Sequence, residues 1–387
     1  MILMSEIHQR SNQIFHDNIN WLLYSDIRIK DGQDKGALFG WKNLNSKSFP
    51  FIYSEITGYA VTSFSWIYAS LGNYLALQAA RESAKWIQKN IQSNLLFARP
   101  AALGSVPNDL SELFYSFDNG MIVIGLVNLY KITKDLGNLL LAEKITQTLI
   151  DRFFDGEKLI ARLDNSCNPM IEEDTKGIVK WSTISGAYHA KLSLALLELS
   201  RLTNNPKYSE VSNSICDYAI KTQCSDGHFM TNPGSDIVFL HPHLYACEGL
   251  IYSGIAQSNE EHHRVGLNGI LWAIEQAESS KVGGLYSNTG TYAVEQSDCT
   301  AQLVRLLILC RSQLGKFINS SKLDNVIQSL HSRLLDFYIA NGNDRGGMRY
   351  QLNLDSACSW CTMFSMQALH LWKMKNASRL SWLDYFV

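Results

Sequence analysis

The 387 residues carry 34 Lys and Arg against 36 Asp and Glu, a formal net charge of −2 with no long basic run. That balance argues against nucleic acid and against an anionic membrane surface as partners, since both are bound through clustered positive charge. Hydrophobic residues make up 46% of the chain and charged residues only 18%, a composition suited to a large core in which many helices have no wet face. No apolar run approaches the roughly 20 residues of a membrane span. The opening MILMSEIHQR lacks the charged start and apolar middle of a secretory signal. The eight cysteines fall mostly inside helical phrases at no framework spacing, so the expectation is reduced thiols in a cytoplasmic protein.

Residues 5–24 form the first predicted element, an amphipathic helix carrying Ile7, Ile14, Phe15, Ile19, Leu22 and Leu23. DGQDKGALFGW follows, a glycine turn that runs into a short extended piece. Related turns recur as FDGEKLIAR, SDGHFMT, VGGLYSN and RGGMRYQ, each after a helix that reads as buried on one side. The first helix therefore behaves as an outer helix whose inner partner does not precede it.

The next elements repeat one phrase. Residues 58–70, 120–133, 244–256, 297–310 and 362–373 each lie over 190–203 without gaps, so that Leu126 meets Leu250, Leu303 and Ala368. The fullest copy is the hairpin of residues 181–222. Its first helix is apolar around most of its circumference, the pattern of a helix covered on all sides. Its second opens at Asn205-Pro206, a capping residue and a first-turn proline, and keeps Tyr208, Val211, Ile215, Tyr218 and Ala219 on one face. The period of about 50 to 70 residues exceeds that of common solenoids. Six inner helices are countable.

The sixth inner helix, roughly 357–375, is followed by too few residues for another turn and outer helix. Residues 5–24 are predicted to pack beside it and close the ring. The expected fold is all-α, a single (α/α)6-barrel domain over residues 1–387. Inner-to-outer links such as SLGNY, KDLGN, LTNNPKY and SNEEHH are short. The links back to the next inner helix run to about 15 to 30 residues, and loops of that length are usually functional. A funnel is expected where the inner helices begin, and their converging N-termini favour an acidic or strongly hydrogen-bonding ligand.

This arrangement resembles the six-hairpin, or (α/α)6-barrel, superfamily of carbohydrate-active enzymes, which includes glycoside hydrolases, polysaccharide lyases and sugar epimerases. IYSEITGYA (52–60) with its GW lead-in and FDNGMIVIGLVNLYKITKD (117–135) resemble proteins of this fold encoded beside polysaccharide biosynthesis enzymes. The resemblance implies a saccharide substrate or ligand.

Candidate chemistry sits at the inner-helix starts. Glu55 and Asp118 precede adjacent inner helices, and Glu295 and Asp298 lie three apart at the fifth. Carboxylates so placed can act as general acid and base on a glycosidic bond. Equally, each can serve as a first-turn acid worth about 0.5 to 2 kcal/mol to its helix. His189 and His243 occupy one repeat position, with His241 just before the latter. Two facing imidazoles suit proton removal and return at a sugar carbon, with Tyr245 beside them, so an epimerase or lyase is the alternative reaction. Each equally reads as a hydrogen-bonded structural histidine.

Trp41, Tyr53, Tyr59, Tyr115, Trp181, Tyr188, Tyr245, Tyr292 and Trp360 cluster near the same rim, where some would stack on sugar rings and others pack the core. Arg162 and Arg349, shortly after glycine turns, are placed to pair with the carboxylate of an acidic sugar. Cys358 and Cys361, in CSWC, could join Cys299 and His241 or His243 as zinc ligands. A lone CxxC within a helix also reads as two buried small residues. The reading taken forward is a glycoside hydrolase with carboxylate acid and base, without metal or cofactor. A saccharide-binding barrel with no catalysis is the alternative from another class.

Overall fold

The computed structural model describes residues 2–99, 113–170, 180–232, 235–279, 282–287, 290–291 and 294–374. In chain order the helices are α1 (Ile2–Tyr24), α2 (Ser54–Leu71), α3 (Tyr74–Asn90), α4 (Ser116–Thr133) and α5 (Leu136–Phe153). A 3-10 stretch (Ala187–Leu192) then runs directly into α6 (Ser193–Thr203), followed by α7 (Pro206–Lys221), α8 (Leu240–Gln257) and α9 (Glu260–Ser279). The last are α10 (Ser297–Leu309), the short α11 (Arg311–Leu314), α12 (Ser320–Leu334) and α13 (Ser359–Met374). None of the described helices is long and apolar enough to cross a membrane.

The inner ring is α2, α4, α6 with its 3-10 entry, α8, α10 and α13, each packed on the next, with α13 returning to α2. Its members are buried over nearly their whole length, as in α4, where every residue from Ser116 to Leu129 is covered. Glycines set the closest approaches. A Cβ on Gly249 of α8 would stand 2.1 Å from the Ala190 carbonyl, so only glycine lets these two inner helices meet there.

Helix ends follow a local code. Four inner helices stop in a left-handed residue, Gly72, Lys134, Asn204 or Ser258. An Asx residue follows at once and caps the outer helix: Asn73 accepts from Leu75 N, Asp135 from Gly137 N, Asn205 from Lys207 N and Asn259 from Glu261 N. The left-handed turn ends one helix, and the side-chain oxygen takes an N–H that the next helix leaves unpaired.

Ring closure follows the expectation. Three of the loops after outer helices press a glycine turn onto the next outer helix: a Cβ on Gly36 would meet Glu82 O of α3 at 2.2 Å, one on Gly227 would meet Asn268 O of α9 at 2.7 Å, and one on Gly346 would meet Asp17 O of α1 at 2.1 Å. Thus α1 takes the place after α12 that α3 takes after α1. Ser11 Oγ lies 3.0 Å from His331 Nε2 of α12, Lys373 Nζ of α13 donates to Asn12 Oδ1 at 2.8 Å, and Asn18 Nδ2 donates to Gly346 O at 2.6 Å. A two-stranded antiparallel ribbon, Trp41–Asn43 with Ser356–Cys358, ties the first and last long loops across the same seam.

One detail of the repeat register is corrected. Counted from the helix starts, the residue equivalent to Gly58 and Gly120 is Ala301 rather than Ser297 on α10, and on α13 it is Met363, one residue past Thr362. On α10 the ungapped match had slipped by one helical turn, which keeps apolar residues opposite apolar ones and so leaves no trace in the pattern.

Candidate active site

A cavity of about 540 Å3 opens where the inner helices begin. Its walls combine first-turn residues of inner helices, namely Glu55, His241, Asp298 and Trp360, with loop residues Trp41, Arg99, Lys180 and Trp181. Tyr59 and Tyr245, one turn deeper on α2 and α8, form the floor, their hydroxyls 2.5 Å apart. A charged layer lies beneath. Glu248 takes Lys191 Nζ at 2.5 Å and Arg305 Nη2 at 2.8 Å, and Arg305 Nη1 donates to Gln367 at 2.6 Å. Lys191, Glu248 and Arg305 are fully buried, so these pairs lock four inner helices in one register.

Glu55 is the best-placed acid. Its carboxyl lines the cavity yet is only 8% exposed. Burial first, then the Asp118 charge, raise it to about 8, against the opposing pull of Arg99, Tyr53 and Lys180. It is protonated at neutral pH and able to donate. Asp118 lies behind the wall. It accepts Arg99 Nε at 2.7 Å, a second bond from Arg99 Nη2, and the Tyr53 hydroxyl at 3.1 Å. Its role is to hold Arg99, whose guanidinium also lies over the Tyr115 ring at 3.5 Å.

Asp298 and His241 form a second cluster. Asp298 Oδ2 accepts Trp360 Nε1 at 3.1 Å and lies 3.8 Å from His241 Nδ1, while its Oδ1 accepts Cys299 N at 2.8 Å. Burial lowers the His241 imidazole pKa, which keeps it neutral despite the carboxylate beside it. His241, Asp298 and Cys299 bring one ligand atom each within 4.8 Å of one another, so these three, rather than Cys358 with Cys361, are the group able to hold a metal ion among the described residues. Burial pushes the Cys299 thiol well up, so a metal would have to displace its proton.

Of the candidates named from sequence, Trp41, Tyr53, Glu55, Tyr59, Trp181, His241, Tyr245, Asp298 and Trp360 meet at this cavity. Others do not. His243 Nδ1 accepts Phe229 N at 3.2 Å, and its Nε2 bonds the Gly269 carbonyl at 2.9 Å, so its ring points toward α9. Burial drops it to about 4. His189 bonds Ser116 Oγ at 2.9 Å and is pushed down to about 3. The two imidazoles share no hollow.

His243 fills a repeating structural role. Thr57, Asn119 and Thr362 at the equivalent position likewise accept a loop N–H, from Leu38, Phe97 and Met348. Each pins a long loop to the start of its inner helix.

Glu295 pairs with Arg333 of α12 at 2.6 Å, an ion pair away from the cavity. Arg162 and Arg349 stand outside the lining; the strand residue Arg162 pairs with Tyr115, and the Arg349 carbonyl accepts Ser297 Oγ at 2.6 Å. Tyr188 donates to Ile184 O at 3.0 Å and packs edge-on behind Trp181 at 4.9 Å. Tyr292 lies outside the described residues. The cationic residues that do reach the cavity, Arg99 and Lys180, were not singled out from sequence. Both sit in aperiodic loops, and the one available signal was the adjacency of Lys180 to Trp181.

No protein-family model and no curated protein matches the sequence. Among solved structures the chain is similar to a sugar epimerase from a ruminal bacterium, with 12% identity, 95% of this chain and 98% of the other covered, and a TM-score of 0.72. It is similar to cellobiose 2-epimerase from Bacillus thermoamylovorans B4167, with 10% identity, coverage of 94% and 100%, and a TM-score of 0.71. It is also similar to an unsaturated glucuronyl hydrolase specific for heparin, with 10% identity, coverage of 95% and 97%, and a TM-score of 0.65. What these share with the chain over nearly its full length is architecture: the chain has an (α/α)6-barrel fold.

Proposed function

We propose that the protein is an enzyme acting on saccharides, and that it hydrolyses a glycosidic bond with Glu55 as proton donor. The observation that carries this reading is a carboxyl group held protonated near neutral pH on the wall of a tryptophan-lined cavity. Asp298 is the companion carboxylate. It stands on α10 while Glu55 stands on α2, either side of the helix bearing Trp360, and the indole N–H of Trp360 orients it. Protonation of the leaving oxygen by Glu55, with Asp298 either attacking the anomeric carbon or activating water, is the two-carboxylate chemistry of glycosidases. The indole faces of Trp41, Trp181 and Trp360 supply stacking surfaces for sugar rings. The names of the similar structures support a saccharide as substrate.

The test is release of reducing ends from a panel of oligosaccharides between pH 5 and 8. Glu55→Gln and Asp298→Asn should each lower kcat by about 10²- to 10⁴-fold, the usual contribution of a positioned acid or base. Retention of activity by Glu55→Gln to within a few-fold would refute the assignment.

A second reading rests on His241. Its neutral imidazole, 3.8 Å from Asp298 on the cavity wall, is competent to remove a proton from a sugar carbon, with the Tyr245 hydroxyl close by. It takes over the epimerase role first read for His189 and His243. Deuterium uptake from solvent into a recovered sugar, without bond cleavage, distinguishes this from hydrolysis.

A further inference from the structure

The wall formed by Lys180, Ser182 and Arg99 is built entirely of donors. Arg99 spends Nε and Nη2 on Asp118 and donates Nη1 to Ser182 Oγ at 2.8 Å, so its charge is already matched by that carboxylate. Ser182 Oγ accepts this bond and keeps its own proton to give. Lys180 differs from both. It lines the cavity, half-buried, and among the described residues it has neither a hydrogen-bond nor an ion-pair partner. Asp118, behind this wall, is committed to Arg99 and Tyr53, and Glu55, raised to about 8, carries a proton at neutral pH. Among the described residues one positive charge on this wall is left without a counter-charge, while Asp298 bonds Trp360 in the other cluster.

Resting on the saccharide reading above, we propose that the sugar bound here carries a singly charged anionic group, a carboxylate or a sulfate ester, seated on Lys180 Nζ, the Ser182 hydroxyl and the unused Arg99 N–H groups. A neutral sugar hydroxyl would accept a hydrogen bond from Lys180 but leave its charge uncompensated in a place where water is scarce. A single anionic oxygen group supplies both the acceptors and the charge. Trp181, the next residue along, then places an indole beside the ring that bears the group.

The experiment compares a glucuronide, a glucose 6-sulfate and the matching neutral glucoside, each as a short oligosaccharide, by calorimetry on the full chain. The acidic ligands should bind at least about tenfold more tightly than the neutral one, the order expected of one charge-assisted contact. That advantage should shrink as salt is raised, and it should fall to within about twofold in Lys180→Met. The stronger binder of the two acidic ligands identifies the group. Equal binding of neutral and acidic ligands, or an acidic preference untouched by both salt and Lys180→Met, would overturn the inference while leaving the saccharide reading standing. Binding of no member of the panel would count against both. Should Lys180→Met not fold, the salt series and Ser182→Ala on the same ligands decide the matter.

Discussion

Replacing Glu55 by glutamine removes one ionisable group from a site where ionisation is opposed, and the effect must depend on pH. Burial and Asp118 raise the folded-state carboxyl from 4.5 to about 8. In the unfolded chain the group ionises near its ordinary value, so between those two limits the folded state holds a proton that the unfolded state has released. Stability is therefore lost as pH rises through this window, at about 1.4 kcal/mol per pH unit, and levels off above the folded value. From pH 5 to pH 8 the wild type should lose about 3 to 4 kcal/mol through this group alone. Glutamine, of nearly the same shape, loses none of it. With about 2.1 cal/mol/K per residue of unfolding entropy, 387 residues give about 0.8 kcal/mol/K, so the difference amounts to about 4 °C in Tm. The assay is the Tm of both proteins across pH 5 to 8 at fixed ionic strength, reading the gap between the curves so that other titrating groups cancel. Glu55→Gln should gain on the wild type steadily with pH. A gap constant to within about 1 °C over that range would show that the carboxyl titrates normally in the folded protein, and the proton-donor argument would fall with it.

Further consequences concern the groups around the site. Arg99→Met strands Asp118, which is 1% exposed, and should cost about 3 to 5 kcal/mol in urea unfolding, with Arg99→Met/Asp118→Asn recovering part of the loss; no recovery would argue against their pairing. His243→Ala should cost about 3 kcal/mol by leaving Phe229 N and Gly269 O unpaired, yet preserve saccharide binding; loss of binding with stability intact would return this histidine to the site. Gly249→Ala should cost about 3 kcal/mol or more, because its Cβ would meet the Ala190 carbonyl at 2.1 Å, and thermal unfolding of the two variants can rank it against Gly72→Ala. Gly72 has a φ of 67° and open space around it, so only about 1 kcal/mol of backbone strain applies there. Equal costs would mean that the two inner helices do not meet as described.

Much of the architecture can be read along the chain because its causes are local. An inner helix that is apolar all round has to be enclosed, and the pairs Lys134-Asp135, Asn204-Asn205 and Ser258-Asn259 end one helix and cap the next whatever surrounds them. The one-sided apolar face of α1 marks it as an outer helix, and Asp17 beneath Gly346 shows where it fits.

The same apolar uniformity is why site residues were harder to find. A helix with no polar stripe does not reveal which side faces the axis. His241 and His243, two residues and so about 200° apart on one helix, cannot both face the cavity. Only the packing of α9 against α8 decided that His241 points in and His243 out. Nor could spacing bring Arg99 and Lys180 to the Glu55 wall: they lie on separate aperiodic loops, and their meeting depends on how the ring closes. Sequence alone determined the six hairpins, through helix burial and helix caps, and the long links back to each inner helix marked the end at which they open. The raised pKa of Glu55, the partner of Asp118 and the meeting of Lys180 with Arg99 at one cavity were decided by tertiary structure, because each depends on what lies within a few ångströms across the ring.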